Sequence, residues 1–350
     1  MDLYVLDKTL NPIGIIDSAS SIIWANRYYD TGDFEVYIQA NRKYIDLLQK
    51  NYFITRPDSE MVGIIEGIRI TTDVEIGDYI TVTGRDLKSI LERRIIWNQT
   101  NLTGKTEVIL RQLIADNVIN PSLAARKIPG VKLGPIRGFT DTAELQATGD
   151  NLLDKVIELC KAAEIGWRVF IDEEGQIVID FYRGENRSYS QDVNPYVVFS
   201  PEFDNLLSTE TIQDTTTLKN AALVAGEGEG SAQITAAIGS ASGMDRREAY
   251  IEPNVSSNNG EISASKYLQL LKNAGQEQLA AAAETLSVTG TAETTLTYTL
   301  NEDYYLGDTV AVTNEYGISA NTKILEIIES EDDTGYRVIP TFEEWRQYDN

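Results

Sequence analysis

The amino-acid sequence predicts a β-rich α+β fold with three parts, residues 1–85, 86–195 and 196–350. Three observations support this prediction. Hydrophobic residues alternate with polar ones near both ends of the chain, apolar residues recur every three or four positions in between, and one long helical pattern lies in the C-terminal half. A chain of 350 residues also exceeds what one hydrophobic core usually organises, so two or three domains are expected.

The N-terminal part, residues 1–85, has the pattern of antiparallel strands. Hydrophobic residues alternate with polar ones at residues 34–39 and 80–83, as in strands that bury one face. Glycine, proline, asparagine and aspartate residues separate the strand patterns and favour turns. This part is therefore predicted to be a small barrel or sandwich, covered by a helix at residues 42–49.

The middle part, residues 86–195, changes to a helical period. Amphipathic helix patterns lie at residues 86–94, 106–118 and 148–163. Two strand patterns follow, at residues 167–171 and 176–182, and the acidic turn between them ends in Gly175. These elements predict an α/β or α+β module with a long connection at residues 121–139.

The C-terminal part, residues 196–350, begins with a hinge at residues 196–230, where one half of the chain passes to the other. After it, residues 263–286 are predicted to form one helix of roughly 36 Å, at 1.5 Å per residue. Strand patterns then return at residues 294–300, 310–313, 322–328 and 336–340.

Composition excludes several functions. The chain has 54 acidic and 30 basic residues, a net charge of −24, so it should repel nucleic acid and anionic membranes. It has no histidine, which removes the commonest general base and metal ligand. The single cysteine, Cys160, lies at helical spacing among leucines and is predicted to be a core residue. Without a possible internal disulfide, assembly in a reducing cytoplasm is expected.

No catalytic, cofactor or metal site is predicted from the motifs. Residues 226–230, GEGEG, lack the helix start that a phosphate-binding loop needs and carry two glutamates. The carboxylates at residues 172–174 and 343–344 lie in apparent turns or tails, and the acidic turn 329–333 lacks calcium-loop spacing. The chain also has no signal-peptide pattern and no run of 18 apolar residues, so no membrane span is expected.

The aromatic residues Trp24, Tyr28 and Tyr29 are the candidate protein-contact residues, because tryptophan and tyrosine are favoured anchors of interfaces. Trp345 and Tyr348 form a second aromatic cluster near the C-terminus. Packing in the core is the alternative role for these side chains, and the sequence leaves both open.

Several phrases of the sequence resemble the Gp37-like (ReqiPepy6 type) tail proteins of siphophages and prophages of Gram-positive bacteria. They are NPYVVFSPEFDNLL from Asn194, DTTTLKNAALVAGEGEG from Asp214, GMDRREAYIE from Gly243, RRIIW from Arg93 and TGDNLLD from Thr148. The resemblance extends from LYVLD near the N-terminus to PTFEEW at residues 340–345. The relatives of this family are the baseplate hub proteins of long-tailed phages.

The resemblance implies a structural role. Hub proteins similar to this chain carry two tail-tube-like barrels that flank an α/β module, so that a trimer presents six barrels to a six-fold tail tube. The order of strand and turn patterns in residues 64–82 is similar to that in residues 324–339. This similarity fits an internal duplication, although β-hairpins also share such an order by chance.

The implied protein is a virion tail component without enzymatic activity. It would form a homotrimeric ring at the distal end of the tail tube, between the tube or distal tail protein and the tip or spike proteins. DNA would pass through the ring without specific binding. The alternatives are a tail-associated cell-wall hydrolase and a receptor-binding or carbohydrate-binding tail protein. A tail-like bacteriocin or injection device could use the same part.

Overall fold

The computed structural model describes the chain except for residues 76, 259, 283–284, 293–296 and 343–350. It contains two compact units. The first consists of Met1–Thr209 and Thr289–Glu343, and the second of Glu210–Val288 and Glu344–Asn350. The division after Thr209 falls inside the predicted hinge. The predicted domain boundaries after residues 85 and 195 do not coincide with the limits of the units.

The first part of the chain is mainly β, as predicted. Its elements are β1 (Leu3–Leu6), β2 (Pro12–Ile16), β3 (Ala19–Arg27), β4 (Asp33–Gln39), α1 (Arg42–Leu47), β5 (Phe53–Thr55), β6 (Val62–Thr71) and β7 (Tyr79–Asp86). The strands pair antiparallel in the order β3-β4-β7-β6-β5-β1-β2. The alternating residues Phe34, Val36 and Ile38 are buried, which is what the period-two pattern predicts.

The middle part packs helices against two small sheets. Its elements are β8 (Thr100–Lys105), α2 (Thr106–Ile114), β9 (Val131–Leu133), β10 (Thr142–Ala147), α3 (Leu152–Ala162), β11 (Gly166–Ile171) and β12 (Ile177–Tyr182). β8 pairs with β10, while β12 pairs with both β11 and β9. Asn151 caps α3 by accepting a hydrogen bond from the Leu153 amide at 2.9 Å.

The first predicted helix of this part differs in type. Residues Leu87–Arg93 form a 3₁₀ helix, which Asp86 caps by accepting a hydrogen bond from the Lys88 amide. Its first five residues, Leu87–Leu91, are all buried, so burial is not confined to one face of this helix. The second predicted helix is α2 followed by a π-helical turn, Ala115–Ile119.

The C-terminal part contains β13 (Val198–Phe199), β14 (Leu206–Asp214), β15 (Ala221–Ala225), β16 (Thr235–Ile238), β17 (Glu248–Ile251), α4 (Ala264–Ala281), β18 (Thr285–Ala292), β19 (Thr309–Thr313), β20 (Ser319–Asp332) and β21 (Gly335–Phe342). The predicted helix 263–286 is wrong at its C-terminal end, since α4 ends at Ala281 and Leu286 lies in β18. Residues 285–292, TLSVTGTA, alternate threonine or serine with other residues, and that period-two pattern favours a strand.

β20 joins the two ends of the chain in one sheet. Its first residues pair with β19, and its second half pairs with β21 on one side and β3 on the other. Strands from residues 196–350 therefore complete the sheet that residues 1–85 begin. Within the described residues this sheet does not close into a barrel, because its order ends at β2. The β-rich α+β prediction is confirmed, whereas the two-barrel arrangement stays a prediction.

The second unit is a three-stranded sheet covered by α4. The strand order is β16-β15-β17. Tyr267 and Leu271 of α4 are buried in one hydrophobic cluster with residues of this sheet. Gly275 lies at the closest approach, since a Cβ atom there would be 2.4 Å from Val224 Cγ2. A small residue at this position is required for the helix to pack on the sheet.

Candidate functional site

The predicted contact residues Trp24, Tyr28 and Tyr29 lie in the interior, with exposed fractions of 0%, 0% and 5%. The Trp24 ring packs against Phe34, with 5.4 Å between ring centroids. Packing in the core, the alternative that the sequence left open, accounts for all three side chains. Their contact with a partner stays a prediction, and it would require the interior to open.

Tyr28 is the residue at which distant parts of the first unit meet. Its ring lies between two glycines, because a Cβ atom on Gly166 would be 2.0 Å from the ring and one on Gly307 would be 2.2 Å from it. The Tyr182 ring contacts it edge-on at 5.3 Å. The Gly184 amide donates a hydrogen bond to the Tyr28 hydroxyl at 3.4 Å, and burial raises the pKa of this phenol to about 12. Tyr28 therefore joins β3 to the middle module and to the loop before β19.

Trp167 anchors the same turn from the other side. Its indole Nε1 donates a hydrogen bond to the Tyr29 carbonyl at 2.7 Å. The Lys88 ammonium lies 5.2 Å from the centroid of the Trp167 ring and donates hydrogen bonds to the Arg27 carbonyl and to the Asp30 carbonyl, the latter at 3.1 Å. The turn after β3 is thus held by an aromatic residue and a buried cation of the middle module.

A buried carboxylate accompanies this lysine. Asp86 is 4% exposed and Lys88 is 2% exposed. Burial raises the pKa of the Asp86 carboxyl to about 6, although the nearby Lys88 charge opposes the shift. Burial also lowers the pKa of Lys88. The pair makes the junction sensitive to pH in a mildly acidic range.

A cavity of about 330 Å³ opens beside the pair. Its lining includes Asn26, Lys88, Trp167, Arg168, Tyr182 and Tyr305. Part of the charge at its wall is paired, since Arg168 binds Glu60 at 2.6 Å and Asp180 at 3.1 Å. Asp86 and Lys88 also line this cavity.

Two arginines, Arg56 and Arg187, form ion pairs that tie remote segments of this unit together. The Arg56 guanidinium binds Glu329 of β20 at 3.0 Å and Asp58 at 2.7 Å. Arg187 binds Asp308 at 2.7 Å, and the Glu185 amide donates to the same carboxylate at 2.7 Å. Breaking a buried pair leaves an uncompensated charge, so these contacts constrain the arrangement of the strands.

No cluster of potential metal ligands occurs among the residues that the structure describes. Cys160 is buried, and burial raises the pKa of its thiol, so it is not a reactive thiolate. Asp172 and Glu174 bind Lys132. Residues 343–344, and with them Trp345 and Tyr348, lie outside the described residues.

The glycine-rich segment 226–230 follows β15 as a connecting loop. Its Glu227 carboxylate accepts hydrogen bonds from the Ser257 amide at 2.8 Å and from the Ser256 hydroxyl at 2.9 Å. The carboxylate therefore holds this loop to another loop of the same unit.

Across the described residues, no helix is long and apolar enough to cross a membrane.

A surface feature near Trp97 was not predicted from the sequence. This side chain is 54% exposed, and the guanidinium carbon of Arg126 lies 5.0 Å from its ring centroid. Arg93 and Arg94 precede it directly in the run RRIIW. Two arginines next to a tryptophan in an acidic chain are a detectable signal, but the run was considered only as part of the family resemblance.

The sequence matches the profile of the siphovirus ReqiPepy6 Gp37-like protein family over residues 2–342. The chain belongs to this family. The resemblance of its phrases to Gp37-like tail proteins is thereby confirmed. A search of curated protein sequences found no match.

Solved structures of tail proteins share the fold of this Gp37-like chain. A tail protein from Neisseria meningitidis is 13% identical, with a TM-score of 0.62 over 97% of this chain and 96% of its own. A prophage MuSo2 tail protein from Shewanella oneidensis is 15% identical, with a TM-score of 0.63 over 98% of both chains. The prophage tail protein gp18 from Listeria monocytogenes is 13% identical, with a TM-score of 0.55 over 98% of this chain and 95% of its own. The Gp37-like chain is therefore a phage or prophage tail protein by family, with a fold found in other tail proteins.

Proposed function

We propose that this Gp37-like protein is a structural hub of the tail, at the distal end of the tail tube. It forms a homotrimeric ring around the DNA channel and links the tube or distal tail protein to the tip or spike proteins. DNA passes through without specific binding. The family match over residues 2–342 is the observation that supports this proposal most strongly.

In this proposal, residues 1–85 and the strands of residues 196–350 correspond to two tail-tube-like domains, and residues 86–195 to the module between them. The continuous pairing of β3 with β20 supports a mechanical role, because main-chain hydrogen bonds connect the two parts directly. Tyr28 contacts Gly166 of the module and Gly307 of the C-terminal part. The Arg187–Asp308 pair joins the module to residues 196–350, and the Arg56–Glu329 pair joins residues 1–85 to residues 196–350. Such a part requires no active site.

Quantification of the chain in purified tails tests the proposal. Tails are isolated from the producing strain, and the ratio of this chain to the major tube protein is measured by mass spectrometry. We expect about three copies per particle, as a trimer requires, with antibody label at one end of the tube. A chain that does not co-purify with tails contradicts the proposal.

Zymography with purified protein on cell-wall substrate tests the absence of enzymatic activity. We expect no clearing, because the candidate carboxylates Asp172 and Glu174 are bound to Lys132. Clearing that is lost on substitution of a carboxylate pair would favour the hydrolase alternative.

A further inference from the structure

A cationic and apolar patch lies on the surface of the first unit, next to the 3₁₀ helix that follows β7. We call it the Arg/Trp patch. It consists of Arg93, Arg94, Trp97, Leu123 and Arg126, which line one concavity, and of the exposed Lys127, which follows Arg126 in the sequence. Trp97 is 54% exposed and Leu123 is 51% exposed, and a concavity of about 360 Å³ lies between them and the arginines. Trp97 and Leu123 thus present apolar surface beside the arginines, and contiguous apolar surface with a polar rim is typical of interaction sites.

The main chain holds the cations of the patch in place. The Arg126 guanidinium donates to the Ile95 carbonyl at 2.6 Å and to Asn117 Oδ1 at 3.2 Å, and it also covers the Trp97 ring. Arg94 Nε donates to the Arg126 carbonyl at 2.7 Å. These bonds order the positive charges without neutralising them, since their acceptors are neutral oxygens.

One carboxylate, that of Glu92, lines the same concavity as the arginines of the patch. In the part of the chain that the structure describes, Arg93, Arg94, Arg126 and Lys127 form no ion pair. The adjacent Glu92 binds Arg85 instead, at 2.7 Å. A chain with 54 acidic and 30 basic residues thus presents a cluster of unpaired positive charge around an exposed tryptophan.

We propose that the Arg/Trp patch is the docking surface for a second copy of this chain, whose acidic surface loops supply the complementary charge. The inference rests on the proposed function, in which the chain is a homo-oligomer. Because the patch and an acidic loop are different surfaces, the contact is heterologous, and contacts of this kind form a ring when the rotation between successive copies closes.

The surface of a second copy offers the chemistry that the patch needs. Val74 is fully exposed next to the exposed Glu75, and Tyr316 is 81% exposed next to the exposed Glu315. Each pair combines an apolar group for Trp97 with a carboxylate for the arginines. Arginine and tryptophan are enriched among the residues that dominate binding at protein interfaces.

Nucleic acid fits the patch less well. A single-stranded chain binds along an extended positive groove with several aromatic side chains, over at least about four nucleotides. Here one tryptophan and a compact group of cations lie on a chain of net charge −24. An apolar anchor with one or two carboxylates matches this shape better than a polyanion does.

Self-association of the full-length protein tests the inference. Sedimentation velocity at fixed ionic strength compares wild type with the double variant Arg93→Glu/Lys127→Glu and with Trp97→Ala. The control is Lys8→Glu/Lys50→Glu, which changes the net charge equally at exposed sites away from the patch. We expect each patch variant to raise the dissociation constant about tenfold or more, and the control to leave it within about twofold. Circular dichroism confirms that each variant is folded.

Three results would overturn the inference. The patch variants could associate as tightly as wild type, or wild type could stay monomeric at every concentration. Wild type could also retain fluorescent single-stranded DNA that Arg93→Glu/Lys127→Glu releases, which would assign the patch to nucleic acid.

Incorporation into tails separates this inference from the proposed function. Patch variants that associate normally and enter tails overturn only the inference, whereas a wild-type chain absent from tails overturns the function.

Discussion

The two compact units differ in how far apart in the sequence their packed parts lie. In the first unit, Arg27 of β3 binds Glu326 of β20, 299 residues away, and the amino terminus itself binds Glu331. In the second unit, β15, β16, β17 and α4 come from one continuous stretch, Glu210–Val288. Closing a long loop costs more chain entropy than closing a short one, and non-local pairing slows folding. The first unit therefore depends on a few contacts that hold remote segments together, and the second on local packing.

The largest effect is expected from a substitution at the Tyr28 junction. Gly166→Val places side-chain atoms where the Tyr28 ring lies, since even a Cβ would be 2.0 Å from it. We expect the first unit to lose about 3–5 kcal/mol of unfolding free energy, as overpacking of a rigid core does in severe cases. Urea unfolding monitored by tryptophan fluorescence measures this loss.

A double variant serves as the control for this clash. Tyr28→Leu removes the ring, so Gly166→Val should cost less in that background than in wild type. Equal costs in both backgrounds would show that the glycine matters for a reason other than the ring. Hydrogen exchange in β15–β17 should stay unchanged in either variant, since those strands belong to the second unit.

A smaller effect is expected in the second unit. Gly275→Val introduces a Cβ at 2.4 Å from Val224 Cγ2 and should cost about 2–3 kcal/mol, because α4 must move away from the sheet. Hydrogen exchange of β15–β17 measures it. Gln276→Val, at an exposed position of the same helix, controls for the helix propensity of valine. Equal losses from the two substitutions would contradict close packing at Gly275.

The pH dependence of the first unit tests the buried charges of the junction. The pKa of Asp86 is raised to about 6, above its unfolded value, so the folded state binds the proton more tightly. This group therefore favours folding most at low pH, and its contribution falls as pH rises from about 4 to 6, by about 2–3 kcal/mol. The unfolding free energy of wild type minus that of Asp86→Asn should decrease over this range. A difference independent of pH would contradict the assignment.

The smallest effect is expected for a surface ion pair of the first unit. Arg42 and Asp46 are bound at 3.0 Å on α1, with side chains that are 85% and 59% exposed. Arg42→Gln should change the unfolding free energy by no more than about 0.5 kcal/mol, because water screens exposed pairs. A change of several kcal/mol in thermal unfolding would show that α1 contributes more than its surface position indicates.

Local pattern was sufficient for much of the secondary structure. The alternation at residues 34–39, the hairpin of β11 and β12, and the helix start at Thr106 follow from periodicity. The helix predicted from Thr148 begins instead at Leu152, after its cap Asn151. The failures also have local causes. The end of the helix predicted at residues 263–286 was wrong, because the helical pattern across residues 281–286 does not show where alanines give way to alternating threonines. The type of the helix at Leu87–Arg93 was also not predicted, because a period near three does not distinguish a 3₁₀ helix from an α-helix.

The candidate site was less predictable than the elements. The sequence singled out Tyr28 as an aromatic residue but left open whether it faces a partner or the core. The structure places it between Gly166 and Gly307, two glycines that are 141 residues apart (307 minus 166). Trp97 was overlooked because exposure depends on what covers a side chain, and neighbouring residues in the sequence do not reveal this.

The sequence by itself determined the strand and helix periods, the acidic surface, the lack of histidine chemistry and the family. The folded structure alone shows that β20 pairs with β3 and that Tyr28 is enclosed. It also brings the Arg/Trp patch together around the exposed Trp97. The physical reason is the range of the interactions. Periodicity and capping act within a few residues, whereas strand pairing, burial and charge clustering depend on segments that meet only when the chain has folded.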